Sequence, residues 1–350
     1  MYQIFKNVLF TKGYNRTLLY DSLSRQIHFL PNDVFNMIHI NNYKLNETTD
    51  KEILNFLSDK NLIFKSKPTL LNNFPNINND IDIPYKILTT VVELSLICAK
   101  NLHKFNSEEI NGMILQFNFI LNHDTCKETL AFLSDFMMKN EADTFELTIC
   151  EGFTYPDELF ELMEPLNKIF VLNNYANIEI TDTSNKKNRF INQIDVFNRQ
   201  ISFNYLTYFE SSNHNVYYNR HLFIGKNTEI KNTLESEYIY DYLENLKHLN
   251  LDKILNEKEF TVFWKIKKED TLICVDCEFK RFCVDNRIPK KINNKWSYEI
   301  ECDYNPYISK WEGEEGYKTL KELNIDINNK GEIKIDLRKI NAINNILWCE

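Results

Sequence analysis

Apolar and polar residues alternate along this 350-residue chain with two periods, and the period in force changes with position. In the first 66 residues, Ile4, Val8 and Phe10 suit an opening strand, with Gly13 at a turn. Residues 16–20 and 26–30 predict strands around a turn at Asp21 and Ser22. Pro31 and Asn32 can start a helix carrying Val34, Phe35 and Ile38, because a first-turn proline forfeits no helical hydrogen bond. Thr49 and Glu52 have capping-box spacing ahead of Ile53, Leu54, Phe56 and Leu57, which share one helical face. Leu62, Ile63 and Phe64 predict a closing strand. Residues 67–85, with Pro68, Pro75, Pro84 and many asparagines, read as a linker.

Beyond the linker the two periods interleave. Strands are predicted over 87–96, 115–121, 145–149 and 168–172, with further ones at 177–180 and from Ile194. Helices are predicted over 127–140, where Leu130, Leu133 and Met137 share a face, and over 156–166. Strand–helix–strand at this spacing argues for an α/β fold with a parallel sheet and outer helices. Residues 219–232 predict a hairpin turning at Gly225–Asn227. Helices are expected over 238–249 and 316–323, and a strand over 331–337.

Composition narrows the classes. The formal net charge is −9, which disfavours a general nucleic-acid binder, since that wants a basic face. The second N-terminal helix sets Lys51 and Lys60 against Asp50, Glu52 and Asp59, which argues against DNA. No run approaches the roughly 20 apolar residues of a membrane span, and the first residues lack signal-peptide regions. There are eight cysteines, none in the first 97 residues. A reducing cytosol suits them better than a disulfide framework.

Three of those cysteines, Cys274, Cys277 and Cys283, are spaced C-x2-C-x5-C, and Cys302 follows. Two thiols at C-x2-C can reach one metal centre from a single turn. Thiolate softness selects zinc, copper(I) or an iron–sulfur cluster, and the spacing leaves these open. Asp276, Glu278 and Asp285 flank the thiols and suit capping of turn amides or pairing with Arg281 and Arg287. Lys280, Arg281, Arg287, Lys290 and Lys291 are candidates to offset thiolate charge. Tyr304, Tyr307 and Trp311 would pack the metal loop or form a platform.

The cysteines together with Asp276, Glu278, Phe279, Asp285, Arg287, Tyr304, Pro306, Tyr307 and Trp311 resemble the SPASM domain of peptide maturases. The closer resemblance is to the SPASM-domain maturases of grasp-with-SPASM systems. It is specific over about residues 210–315 and looser elsewhere. It implies one auxiliary cluster, [4Fe–4S] with zinc as the alternative, on Cys274, Cys277, Cys283 and Cys302. A second auxiliary cluster of that family would need cysteines where this chain has Tyr217, Thr233 and Asn286. His214 and His221 lie near that lost site, but solvated loop histidines are the commoner case. Strands, helices and a last strand over residues 1–66 read as a winged helix, similar to the leader-recognition element of many peptide maturases. The resemblance implies that a precursor leader adds as a strand to its sheet edge, and that an ATP-grasp ligase is a partner.

Three domains are thus expected: a winged-helix unit over 1–66, an α/β domain over 86–205 that the resemblance implies is a partial βα barrel of radical-SAM type, and a SPASM-like metal-binding domain over 206–350. The middle region lacks C-x3-C-x2-C, offering only Cys98, Cys126 and Cys150 far apart. S-adenosylmethionine is therefore not expected, and the barrel reads as a pseudo-enzyme scaffold. Neither G-x-G-x-x-G nor a P-loop is present. The expected function is an accessory cytoplasmic maturase for a ribosomally made peptide; an active iron–sulfur or zinc enzyme acting on that peptide is the alternative.

Overall fold

The computed structural model describes residues 1–46, 51–67, 83–163, 169–174, 189–191 and 201–348. Two compact units divide the chain differently from the three expected segments. One joins residues 1–81 with 200–216 and 266–350; the other joins 82–199 with 217–265. The N-terminal strands and the cysteine motif therefore share a unit, while the hairpin near residue 225 belongs to the other.

In the first unit, β1 (Tyr2–Ile4), β2 (Val8–Lys12), β3 (Arg16–Asp21) and β4 (Gln26–Pro31) precede α1 (Asn32–Ile40). β5 (Lys44–Leu45), α2 (Lys51–Asp59) and β6 (Ile63–Lys65) follow. Two three-stranded antiparallel sheets form, β2-β3-β4 and β5-β1-β6. The expected single opening strand is thus two strands in different sheets. Pro31 stands just before α1 at φ −56°, where its missing N–H leaves no hydrogen bond unmade. Thr49 lies outside the described residues.

β3 is buried along nearly its whole length, because each of its faces meets a different partner. Leu19 joins a core with Ile4, Ile38, Leu57 and Leu62. Tyr20 turns the other way, onto the ring of Phe282 at 5.2 Å, and donates its hydroxyl to the Phe203 carbonyl at 3.0 Å. A half-buried strand should alternate; this one does not, because the cysteine loop covers its second face.

The C-terminal part is built from short pairs: Pro289–Ile292 with Lys295–Tyr298, Tyr304–Asn305 with Lys310–Trp311, and Asp326–Ile327 with Ile333–Lys334. A helix, Leu337–Trp348, ends the described chain and buries Ile340 beside Tyr307, Ile308, Leu323 and Ile325. The expected strand over 331–337 shrinks to two residues. Asp336 stops it by accepting the N–H groups of Arg338 and Lys339, both at 3.1 Å, an N-cap bond pattern. The expected helix over 316–323 is a series of turns, tied by Ile325 N–H to the Leu320 carbonyl at 2.9 Å.

The second unit holds an eight-stranded sheet. Its strands are β7 (Ile87–Glu93), β8 (Ile114–Leu121), β9 (Thr144–Ile149), β10 (Ile169–Asn174), β11 (Arg189–Ile191), β12 (His221–Ile224), β13 (Glu229–Lys231) and β14 (Asp241–Tyr242). The order is β11-β10-β9-β8-β7-β12-β13-β14, with all pairs from β11 to β12 parallel and the last two antiparallel. Helices α3 (Leu96–Asn101), α4 (Lys127–Lys139) and α5 (Pro156–Met163) lie between successive strands. Phe117, Phe119 and Phe145 meet Phe136 of α4 edge-on at 5.1–6.2 Å. The next row of side chains is polar: Gln116 donates to Glu146 at 2.6 Å and Thr148 to Asn118 at 3.0 Å. The expected strands at 177–180 and from Ile194 lie outside the described residues.

The helix expected over 238–249 is instead β14 and a 3-10 turn, Leu243–Asn245. Tyr240 N–H donates to the Ile230 carbonyl at 2.8 Å, so the sheet edge takes the backbone bond a helix would need. His221 on β12 is pushed down to about 4 by burial. Its folded-state value lies below the ordinary 6.5, so the unfolded chain binds the extra proton between those limits. Stability is then whole above pH 6.5 and is lost as pH falls toward 4. His221→Phe should remove about 2–3 kcal/mol of that acid sensitivity, read from urea midpoints at pH 7 and pH 4.5.

Candidate metal centre

Cysteine placement begins with a tight turn. Residues Cys274–Asp276 form one 3-10 turn, closed by Cys277 N–H on the Cys274 carbonyl at 3.0 Å. Phe279 N–H points at the Cys277 sulfur at 3.4 Å. Cys283 is held by an antiparallel bridge to Ile201. Cys302 arrives after the strand Lys295–Tyr298. All four cysteines line one cavity, together with Lys268, Arg287, Tyr304 and Trp311. Ile273, just ahead of Cys274, is held at φ 67°, a cost for a β-branched residue of order 1–3 kcal/mol.

Burial pushes the Cys283 thiol up to about 12 and that of Cys302 to about 11. It also raises Cys274, and with help from Glu278 and neighbouring thiols it raises Cys277 well above its usual value. The thiols are thus protonated at neutral pH until a cation takes the proton's place, and loading would release protons.

Fixed positive charge stands ready for that anionic state. The Lys268 side chain is only 4% exposed; its Nζ meets Asp285 at 2.8 Å and the Tyr298 hydroxyl at 2.5 Å. Burial opposes this charge, but Cys283, Tyr298 and Asp285 outweigh it and hold the lysine protonated. Arg287 forks onto Asp285 at 2.6–3.0 Å and donates to the Ile300 carbonyl at 2.6 Å. Despite its own burial, Asp285 is held well below the carboxylate range by Lys268 and Arg287. Two cations against one carboxylate leave one positive charge beside the thiols.

Other expected roles redistribute. Glu278 pairs with Arg16 of β3 rather than Arg281, at 2.7 Å, and its side chain is 0% exposed. Tyr304 also donates its hydroxyl to that carboxylate, whose second oxygen is buried without a hydrogen bond. Arg281 meets Glu269 at 2.6 Å. Lys280 lines the cavity but spends its Nζ on the Lys12 and Val275 carbonyls at 2.6 and 2.7 Å. Lys290 pairs with Glu299 at the surface, and Lys291 sits over Trp296. Tyr307 donates to Asp276 at 2.7 Å. The turn between β2 and β3 closes the arrangement: Tyr14 N–H donates to the Asp276 carbonyl at 2.6 Å. A Cβ on Gly13 would lie 2.8 Å from Glu278 N and 2.9 Å from its Cβ. Backbone cannot yield as a side chain can, so Gly13→Ala is expected to cost about 1–3 kcal/mol in urea unfolding.

Lys268 was not among the predicted cations. It lies in the run Lys265-Ile-Lys-Lys-Glu-Asp270, where nothing local singles out one of three lysines. Arg16 had no local signal either. Tyr217 and Thr233 serve as hydrogen-bonding residues: Tyr217 donates to Glu235 at 2.8 Å and Thr233 meets Ser236 at 3.1 Å. In the second unit, Cys98 is buried and points its sulfur at the Gly225 carbonyl at 2.9 Å, while Cys126 precedes α4 and Cys150 follows β9. Cys349 lies outside the described residues.

Among the described residues, no group of three or more His, Cys, Asp or Glu side chains converges closely enough to hold a single metal ion. The four thiols share the lining of one small cavity. An all-thiolate set beside excess positive charge has the chemistry to hold zinc or an iron–sulfur cluster.

No protein-family model matches the chain, and no curated protein matches it. Among solved structures, BtrN in an open conformation aligns at 10% identity and a TM-score of 0.35, covering 56% of this chain and 94% of that one. SuiB of Streptococcus suis aligns at 11% identity and a TM-score of 0.29, covering 80% and 94%. Neither likeness is strong enough to establish a shared fold. No helix among the described residues is long and apolar enough to cross a membrane.

Proposed function

We propose that this chain is an accessory maturase for a ribosomally made peptide, built around one [4Fe–4S] cluster on Cys274, Cys277, Cys283 and Cys302. The carrying observation is that these four thiols line one cavity beside Lys268 and Arg287. The resemblance of the motif to grasp-with-SPASM maturases supports the peptide assignment. In this reading residues 1–66 are the winged-helix element that captures the leader, and an ATP-grasp ligase is the partner that forms the crosslinks.

When bound, the cluster would stiffen the loop or pass electrons. The chain's own residues hold the loop: Asp285 organises Lys268 and Arg287, and Tyr304, Phe279 and Trp311 close one wall, with ring centroids 4.8–5.7 Å apart. Aromatic closure keeps water from the sulfurs, which slows their oxidation.

Anaerobically purified protein tests the reading. A brown sample with about four iron and four sulfide per chain supports it. Colourless protein with one zinc per chain refutes the cluster. Failure of the co-encoded precursor's leader to bind refutes the peptide role.

A further inference from the structure

In the first unit, β2 ends its sheet, with β3 as its one partner strand. Ser22 N–H donates to the Asn7 carbonyl at 3.1 Å, and Gly13 N–H to the Arg16 carbonyl at 2.9 Å. Antiparallel bonding alternates along a strand, so Asn7, Leu9, Thr11 and Gly13 turn their backbone groups toward β3. Val8, Phe10 and Lys12 turn theirs to the outer edge. An open edge is a template for another strand unless something blocks it.

Most of this edge is blocked from within the same unit. Val8 N–H donates to the Phe5 carbonyl at 3.1 Å. The Phe10 carbonyl accepts the Tyr208 hydroxyl at 2.8 Å, and the Lys12 carbonyl accepts Lys280 Nζ at 2.6 Å. Two groups stay open between the first two of these bonds. Among the described residues, nothing donates to the Val8 carbonyl and nothing accepts the Phe10 N–H. In a parallel ladder these are the two groups that one incoming residue meets beside Leu9, its N–H on the first and its carbonyl on the second. A cavity of about 350 Å³ lies at this gap, lined by Val8, Leu9 and Phe10 and walled by Phe5, Tyr43 and Phe209. Small-molecule sites run from about 300 Å³ upward, so a short peptide fits where a continuous strand does not.

The walls set the side chain. Phe5 is 37% exposed, which leaves apolar surface for an occupant to cover. Tyr43 is held at φ 61°, a left-handed backbone that bulky residues seldom adopt, with its carbonyl pinned by Ile4 N–H at 3.1 Å and its ring 5.5 Å from Phe10. No carboxylate shares the lining, and Lys6, its one charged residue, has a partner of its own. Aromatic surface rather than charge therefore selects the occupant.

We infer that the outer edge of β2 binds a short extended peptide, gripping the main chain of one residue between the Val8 carbonyl and the Phe10 N–H and packing a large apolar side chain against Phe5 and Tyr43. Main-chain bonds with a side-chain pocket beside them are the general form of strand-edge recognition. The inference rests on the peptide-modifying reading above for the origin of the peptide. It limits the grip at this edge to one residue, because the bonds to Phe5 and Tyr208 stop the ladder on either side.

The probe is N-acetyl-Leu-Phe-Leu-amide, titrated by calorimetry into the full chain as purified. It is compared with the same peptide methylated on its backbone nitrogens and with one carrying Asp in place of Phe. The parent peptide should bind at least tenfold more tightly than either, since a buried donor or acceptor left unpaired costs about that factor or more. It should also slow deuterium exchange at the Phe10 amide. Tyr43→Asn keeps a residue type that tolerates the left-handed backbone and should weaken binding about tenfold with an unchanged circular dichroism spectrum. Equal affinity for the methylated or the Asp peptide, no binding at millimolar concentration, unaltered exchange at Phe10, or parent-like affinity in Tyr43→Asn would overturn the inference. Selective binding by protein that lacks iron keeps this edge assignment and removes the cluster. Leader binding with unaltered exchange at Phe10 keeps the peptide role and removes this site.

Discussion

Cys302→Ser protein is expected to emerge from anaerobic purification nearly colourless, with metal affinity lowered by more than the roughly 100-fold at which outer-shell partners reach their limit. A serine hydroxyl is harder and far less acidic than a thiol, so it cannot replace a soft anionic donor. Lys268→Met should fall lower on the same scale, by about 10–100-fold, because it removes compensating charge and no ligand. It also leaves Asp285 supported by Arg287 alone. The check is iron and sulfide content with the visible spectrum, each variant loaded in parallel. A full complement of metal in Cys302→Ser would remove this cysteine from the centre. Since burial holds Cys302 near 11 and Cys283 near 12, loading of the parent protein should also weaken as pH falls, because proton and metal compete for the same sulfurs.

The second large effect lies where the β2–β3 turn meets the cysteine loop. Arg16→Met should destabilise the protein by about 3–5 kcal/mol, the cost of leaving a buried ion without its partner. Glu278 has no exposed side-chain surface, and its second oxygen already lacks a hydrogen bond. The double substitution Arg16→Met with Glu278→Leu should recover most of the loss, because a buried pair replaced by apolar groups is often neutral. Urea midpoints of the single and double variants close the cycle. If Arg16→Met cost under about 1 kcal/mol, the pair would be behaving as a surface bridge does. Both Arg16 and Gly13 pack against Glu278, so the N-terminal hairpin and the cysteine loop should unfold together.

Much of the local structure was legible. β3, β4, β8, α4 and β9 lie within a residue or two of their predicted bounds, and α1 starts where Pro31 and Asn32 predict, since each carries its own local period. The turn at Gly225 was legible too, because Gly225 N–H pairs with Glu229 in the tight turn the sequence calls for. Errors fell where elements are two or three residues long. Those strands, such as β14 and Asp326–Ile327, are too short to express a period and exist only because a neighbour offers an edge. Asp336 caps the last helix, but the strand-like alternation of Ile333, Ile335 and Leu337 masks that signal in the sequence.

By itself the sequence determined the alternation of strands and helices in the middle of the chain and the grouping of the four cysteines. Both are recorded in residues close enough along the chain to act on one another through local geometry. Tertiary structure alone decided that β12 lies beside β7 and that the first strands share a unit with the thiols. It also chose Arg16 for Glu278, 262 residues apart, and Lys268 for Asp285. The reason is physical: a charge carries no address. With 41 basic and 50 acidic residues available, only the exclusion of water on folding selects which opposite charges must meet.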